Sequence, residues 1–213
     1  ADALAVTAVL RPRIAAMTLR TPFALAIAAA LTAAALSAQD LRILDHSGFE
    51  TAVFDWARRR PVALGSQGET LEFVGGQWRL AAVPYLLSAS RVVMAYDPSG
   101  RRSLAVERTL TGTLAMSAYD GIAWTPVVTP TTPPPRIEFV LEFDIARARL
   151  ILFSGSDNLT SMLTDTWSFD GTNWTQLTPA ISPPGRRAAS STYDLVRASI
   201  VMFGGQGSSN WLG

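Results

Sequence analysis

The chain has 213 residues, 48% hydrophobic and only 16% charged, with a formal net charge of +1. That is enough for one ordinary domain with a buried core; it excludes global disorder and gives no broad basic footprint for nucleic acid. All 18 basic residues are arginine, so Schiff-base and pyridoxal-phosphate chemistry, which need a lysine amine, are excluded, and the absence of cysteine excludes disulfides and thiolate sites.

In chain order, the first methionine is Met17, and residues 1–16 read as an upstream extension outside the fold. Arg20, the apolar run Phe23 to Leu36 and the small residues before Gln39 have the order of a secretory signal peptide over 17–38. The run is shorter than the roughly 20 residues needed to span a bilayer. The sequence therefore predicts an exported protein, secreted or periplasmic, with a signal helix preceding a domain over 39–213. No stable membrane span is expected after signal cleavage.

From residue 47 onward two signals recur. An aromatic-Asp pair, then arginine, then an apolar run appears at Phe54-Asp55, Tyr96-Asp97, Phe143-Asp144 and Tyr193-Asp194; the aspartates are 42, 47 and 50 residues apart. A glycine turn followed by tryptophan appears at Gly75-Gly76 with Trp78, Asp120-Gly121 with Trp124, and Asp170-Gly171 with Trp174, at intervals of 46 and 50. The two series share a period and an internal order, which divides the domain into units of roughly 47–90, 91–135, 136–185 and 186–213. Within the third unit, Glu138 to Phe143, Leu150 to Phe153, Asp165 to Phe169 and Asn173 to Leu177 read as four antiparallel strands with tight turns. No helical periodicity follows the signal region. The predicted class is all-β, built of four-stranded antiparallel blades.

Ile200-Val-Met-Phe-Gly204-Gly205, an apolar strand ending in a glycine pair, and the tryptophans Trp167 and Trp174 with six residues between them resemble the kelch-repeat family. The resemblance runs over about 47–213. It is strongest from 136 onward and degraded earlier, where Leu71 and Ser117 replace the first aromatic of the pair. It implies a β-propeller in which glycines allow close backbone approach near the axis and tryptophans fill the space between blades. Propellers close with about four to eight blades. Three units and part of a fourth therefore imply an open arc, completed by missing C-terminal blades or by self-association, with an apolar face exposed at each end.

The chemistry-bearing residues are few. His46, the only histidine, lies in Asp45-His46-Ser47, which reads as a loop and not as a converging triad. One histidine and no cysteine leave no transition-metal set. Ser168 to Trp174 misses the sialidase Asp box by one residue and reads as a turn. Asp157, Asn158 and Thr160 fall in the longest strand 2–3 loop, which the propeller layout places on the ligand-facing rim. Asn158 and Asn173 fit the glycosylation pattern. Arg58 to Arg60, Arg101-Arg102 and Arg186-Arg187 read as ion-paired, solvated rim positions. No catalytic residue, cofactor or metal is assigned. The expected function is binding of a protein or glycan of unidentified kind, with no nucleic acid. The alternative is a glycan-processing enzyme in which Asp157, Glu107 and Glu69 converge.

Overall fold

The recurring aromatic-Asp pair closes a first strand in every unit. In the computed structural model, which describes residues 49–66, 68–82, 91–157 and 161–212, these strands are β1 (Phe49–Asp55), β5 (Val92–Asp97), β9 (Val140–Asp144) and β13 (Ser190–Asp194). Residues 1–16, the signal segment 17–38, His46, Asn158 and Thr160 lie outside the described residues. Each first strand turns into a second: β2 (Arg60–Gly65), β6 (Arg102–Arg108), β10 (Arg149–Phe153) and β14 (Ser199–Phe203). The register partners Asp55 and Arg60, Asp97 and Arg102, Asp144 and Arg149, and Asp194 and Ser199 give the same four-residue turn each time.

The aspartate organises that turn. Its carboxylate accepts the backbone N–H of Arg58 (2.8 Å), Gly100 (2.9 Å), Arg147 (3.2 Å) or Arg197 (3.0 Å). It also pairs with a guanidinium at 2.6 Å for Arg58, 3.0 Å for Arg102, 2.8 Å for Arg147 and 2.6 Å for Arg197. The last turn residue takes left-handed φ in all four, at Arg59 (53°), Arg101 (53°), Ala148 (52°) and Ala198 (48°).

Three units continue into complete sheets. Strands β3 (Thr70–Val74) and β4 (Gln77–Ala82), β7 (Leu114–Tyr119) and β8 (Trp124–Pro126), and β11 (Thr166–Phe169) and β12 (Trp174–Leu177) follow in meander order. The described part of the fourth unit is the β13–β14 hairpin, and no helix occurs among the described residues. Glu138, expected in a strand, lies before β9 with φ at 56°, and its carbonyl accepts the Ala188 N–H (2.9 Å) instead of a partner within the sheet.

Consecutive sheets stack through their first strands, β1 beside β5, β5 beside β9 and β9 beside β13. Alternation along the strands sends one set of side chains to each neighbour. Val53, Val62 and Leu64 meet Met94, Ala105 and Tyr119 between sheets 1 and 2. Ala95, Leu104, Val106 and Met116 meet Phe139, Leu141, Phe143, Leu150 and Leu152 between sheets 2 and 3. In sheets 2 and 3 the fourth-strand tryptophan lies on the face toward the preceding sheet. Trp174 is 2% exposed in the second of these cores, and Trp124 packs on the first with its indole N–H on the Thr70 hydroxyl (2.7 Å). Each fourth-strand tryptophan also lies against an aromatic in the last two residues of the third strand: Phe73 with Trp78, Tyr119 with Trp124 and Phe169 with Trp174, at 5.4, 5.2 and 5.3 Å between ring centroids. Where the first-strand aromatic is tyrosine, its hydroxyl accepts a backbone N–H from the preceding sheet's turn, Ala57 to Tyr96 and Ala146 to Tyr193, both at 3.0 Å.

Two contrasts test this packing by urea unfolding. Trp174→Ala should cost about 3–5 kcal/mol, whereas Trp78→Ala, at a half-buried position on the outer face of sheet 1, should cost about 1 kcal/mol; equal losses would contradict the inter-sheet role of Trp174. Gly155 (φ +98°) and Gly171 (φ +103°) both need left-handed backbone, but an added Cβ at Gly155 would also lie 2.8 Å from the Ile137 carbonyl oxygen, while Gly171 faces open space. Gly155→Ala should therefore exceed the cost of Gly171→Ala by at least about 1 kcal/mol, the second measuring strain alone. Similar costs would show that close approach contributes nothing.

Candidate functional site

The ends of the sheets where first strands begin carry a line of charge that crosses three sheets. Arg91 immediately precedes β5, Glu138 stands two residues before β9, and Arg187 three before β13. The Arg91 guanidinium donates to Glu138 Oε1; Arg187 lies 3.7 Å from Glu138 Oε2 and also donates to Gln206 Oε1 at 2.6 and 3.0 Å. Backbone strain accompanies it: Arg91, Glu138 and Ala188, each six residues before its turn aspartate, all have positive φ, at 99°, 56° and 53°. Such residues cost of order 1–3 kcal/mol each and persist where surrounding structure fixes them.

A second, buried layer begins two residues before Glu138. Arg136 is fully buried, with its guanidinium in a two-pronged pair to Asp165 (2.6 and 2.8 Å) and on the carbonyls of Ser154 (3.1 Å) and Pro134 (2.9 Å). Burial pushes the Asp165 carboxyl up, but its bonds from Arg136 and from the Trp167 indole N–H (2.7 Å) outweigh this and hold it below the ordinary carboxylate value. The Ser154 hydroxyl accepts the Arg186 N–H (2.7 Å) and donates to the Leu163 carbonyl (2.6 Å), joining this layer to the fourth unit.

The expected site residues fare differently. Asp157, in the β10–β11 connection, accepts the Ser161 N–H (3.2 Å); Glu107 is buried in β6; Glu69 precedes β3, its carbonyl accepting the Gly65 N–H (2.9 Å). They belong to three different sheets, and among the described residues no three His, Cys, Asp or Glu gather in a way that could hold a metal ion. The arginines divide. Arg58 and Arg60 pair with Glu72, Arg102 with Asp97, and Arg187 with Glu138, as ion-paired positions should. Arg186, expected at the solvated rim, is buried: its guanidinium is consumed by the Gly204 and Pro184 carbonyls (3.0 and 3.2 Å), as Arg136 is by Ser154 and Pro134 fifty residues earlier. Asn173 directs its side-chain oxygen to the Thr131 N–H (2.9 Å). Neither Arg136 nor Glu138 stood out in the sequence, because their ion-pair partners are 29 to 49 residues away; the recurrence of arginine two residues after Pro134 and Pro184 was the available signal.

Glu142 is the other unexpected group. It lies on β9 facing β13, where the corresponding positions are Val53, Ala95 and Thr192, and its partners are the Phe143 N–H (3.2 Å) and the Ser191 hydroxyl (3.4 Å). Burial pushes its carboxyl up from 4.5 to about 7, against the smaller opposing effect of those two hydrogen bonds.

No family model and no curated protein matches this sequence. Among solved structures, YjhT is similar at 13% identity with a TM-score of 0.52, covering 68% of this chain and 47% of that one, so the chain spans about half of its length. A fucose lectin from Kordia zhangzhouensis in complex with methyl-fucoside aligns with a TM-score of 0.39 at 13% identity, over 62% of this chain and 99% of the lectin. Both neighbours are β-propeller-type folds of four-stranded antiparallel sheets. At this identity the likeness to YjhT concerns the fold.

The Glu142 carboxyl makes stability depend on pH. The folded state keeps its proton up to about pH 7 while the unfolded chain releases it near 4.5, so this group's contribution is full below pH 4.5 and lost as pH rises toward 7. The loss should reach about 3 kcal/mol at most. Thermal midpoints of the wild type should fall between pH 5 and 8 relative to Glu142→Gln, which cannot titrate there; parallel profiles would show that Glu142 is solvated.

Proposed function

We propose that residues 39–213 form an arc of a kelch-like β-propeller, exported through the 17–38 segment, that serves as a binding module for a protein or glycan. The arc reading is supported by three meander sheets and a hairpin stacked through their first strands, and by the likeness to YjhT. The binding reading is carried by one observation, the Arg91–Glu138–Arg187 line. It places fixed planar hydrogen-bonding groups on a shared rim, over a backbone held in strained conformations at three equivalent positions. Arg91 and Glu138 retain exposed side-chain surface, and Arg187 is held toward them by Gln206. Guanidinium and carboxylate groups suit sugar hydroxyls and polar peptide groups alike. Catalysis by Asp157, Glu107 and Glu69 has less support, since Glu107 is buried within β6 at 3% exposure.

A glycan array followed by titration calorimetry tests the glycan arm. The wild type should retain a subset of glycans, and Arg187→Ala should weaken the best of them at least about tenfold, or 1.4 kcal/mol, with an unchanged thermal midpoint. A chain that binds no glycan would leave only a protein ligand, and undiminished binding by both Arg187→Ala and Glu138→Ala would remove this rim from the proposal.

A further inference from the structure

The turns that join first and second strands repeat a pairing of groups that neither the packing nor the charged rim uses. Directly after the turn aspartate stands Trp56, Pro98, Ile145 or Leu195, and arginine follows within the turn or at the start of the next strand. Tight turns favour Gly, Asn, Asp and Ser at such positions. Trp56 is instead 57% exposed and Ile145 44%. Sheet 3 has described neighbours on both sides and Ile145 stays exposed all the same, so stacking does not cover this position. Exposed apolar side chains scattered singly are ordinary, whereas these recur at one place on successive turns.

The turns lie side by side. First strands stack directly, and the Ala57 and Ala146 N–H groups of two turns reach the Tyr96 and Tyr193 hydroxyls just before the next turn aspartate. Each aspartate fastens its own turn, so the apolar side chain after it is presented with little left to order. The exposed charge between the tips is basic. Arg59, Arg101, Arg147, Arg149 and Arg197 are all exposed, and Arg59, Arg101 and Arg149 make no ion pair among the described residues. The exposed carboxylates of this end, Asp120 and Asp170, stand on the outer turns, occupied by backbone N–H groups.

We propose that this end of the stacked sheets is a docking surface for an anionic phospholipid bilayer, with Trp56, Ile145 and Leu195 in the headgroup boundary and the exposed arginines on the phosphates. Tryptophan suits that boundary because its ring is amphipathic, and arginines near an anionic leaflet are attracted to it. Charge complementarity selects an anionic occupant, and the interleaved apolar tips select a lipid surface: an acidic peptide would engage the arginines and leave those side chains in water. First strands begin at the Arg91–Glu138–Arg187 line and end at these turns, so docking turns that line away from the lipid. The docking surface does not depend on the line having a ligand.

Co-sedimentation of the full chain with phosphatidylcholine vesicles containing about one-third phosphatidylglycerol, against phosphatidylcholine alone, tests this. The wild type should bind the anionic vesicles at least about tenfold more tightly at low salt and lose that preference at high salt. Trp56→Gln combined with Ile145→Gln, and separately Arg101→Gln combined with Arg149→Gln, should each weaken anionic-vesicle binding at least about fivefold, with unchanged circular dichroism. Every variant keeps the apolar run Phe23 to Leu36, so the difference between variants reads the turns alone. Equal affinity for the two kinds of vesicle, or turn variants that bind as the wild type does, would overturn the proposal. So would binding to soluble polyglutamate that matches the vesicle affinity and survives loss of Trp56 and Ile145, which would assign the arginines to an acidic polypeptide.

Discussion

A four-stranded sheet has two faces, and strand alternation makes both of them partly apolar here, so each sheet depends on a neighbour to take those faces out of water. Everything else follows from that dependence. The apolar cores belong to junctions between sheets, with Val62 and Leu64 answering Met94 and Tyr119, and Leu104 and Val106 answering Phe139 and Leu150. Stability is correspondingly a matter of nearest neighbours, and a residue's burial is decided by whether its face has an adjoining sheet. Phe153 and Phe203 show this most directly, being the same residue at the same register with opposite surroundings.

Within each sheet, local chemistry fixes the register so that the faces can match. The turn aspartates do this at one end by capping backbone N–H groups and holding an arginine. Asp120 and Asp170 do it at the turns before the tryptophans, where Asp170 accepts the Asn173 and Thr172 N–H groups and the Thr172 hydroxyl, and these hold its carboxyl down to about 2. A slip of one residue would exchange the faces of a strand. The caps therefore specify which side chains meet the preceding sheet and which the following one.

Local devices of this kind were legible in the sequence. The aromatic-Asp series located all four first strands, and the glycine-tryptophan series located the three outer turns. What was missed depends on contacts between units. The rim line of Arg91, Glu138 and Arg187 has no local pattern, because it exists only once three sheets are side by side. Arg186 looked solvated because charge in a loop usually is, and the carbonyls of Gly204 and Pro184 around it make burial tolerable.

The first-strand aromatic carries a further regularity. It is phenylalanine, tyrosine, phenylalanine, tyrosine at 54, 96, 143 and 193, and only the tyrosines reach back to the turn before them. A rhythm of two is thus laid over the rhythm of one. Any closed circle that keeps this alternation unbroken must contain an even number of sheets; an odd circle would set two like neighbours side by side at one seam.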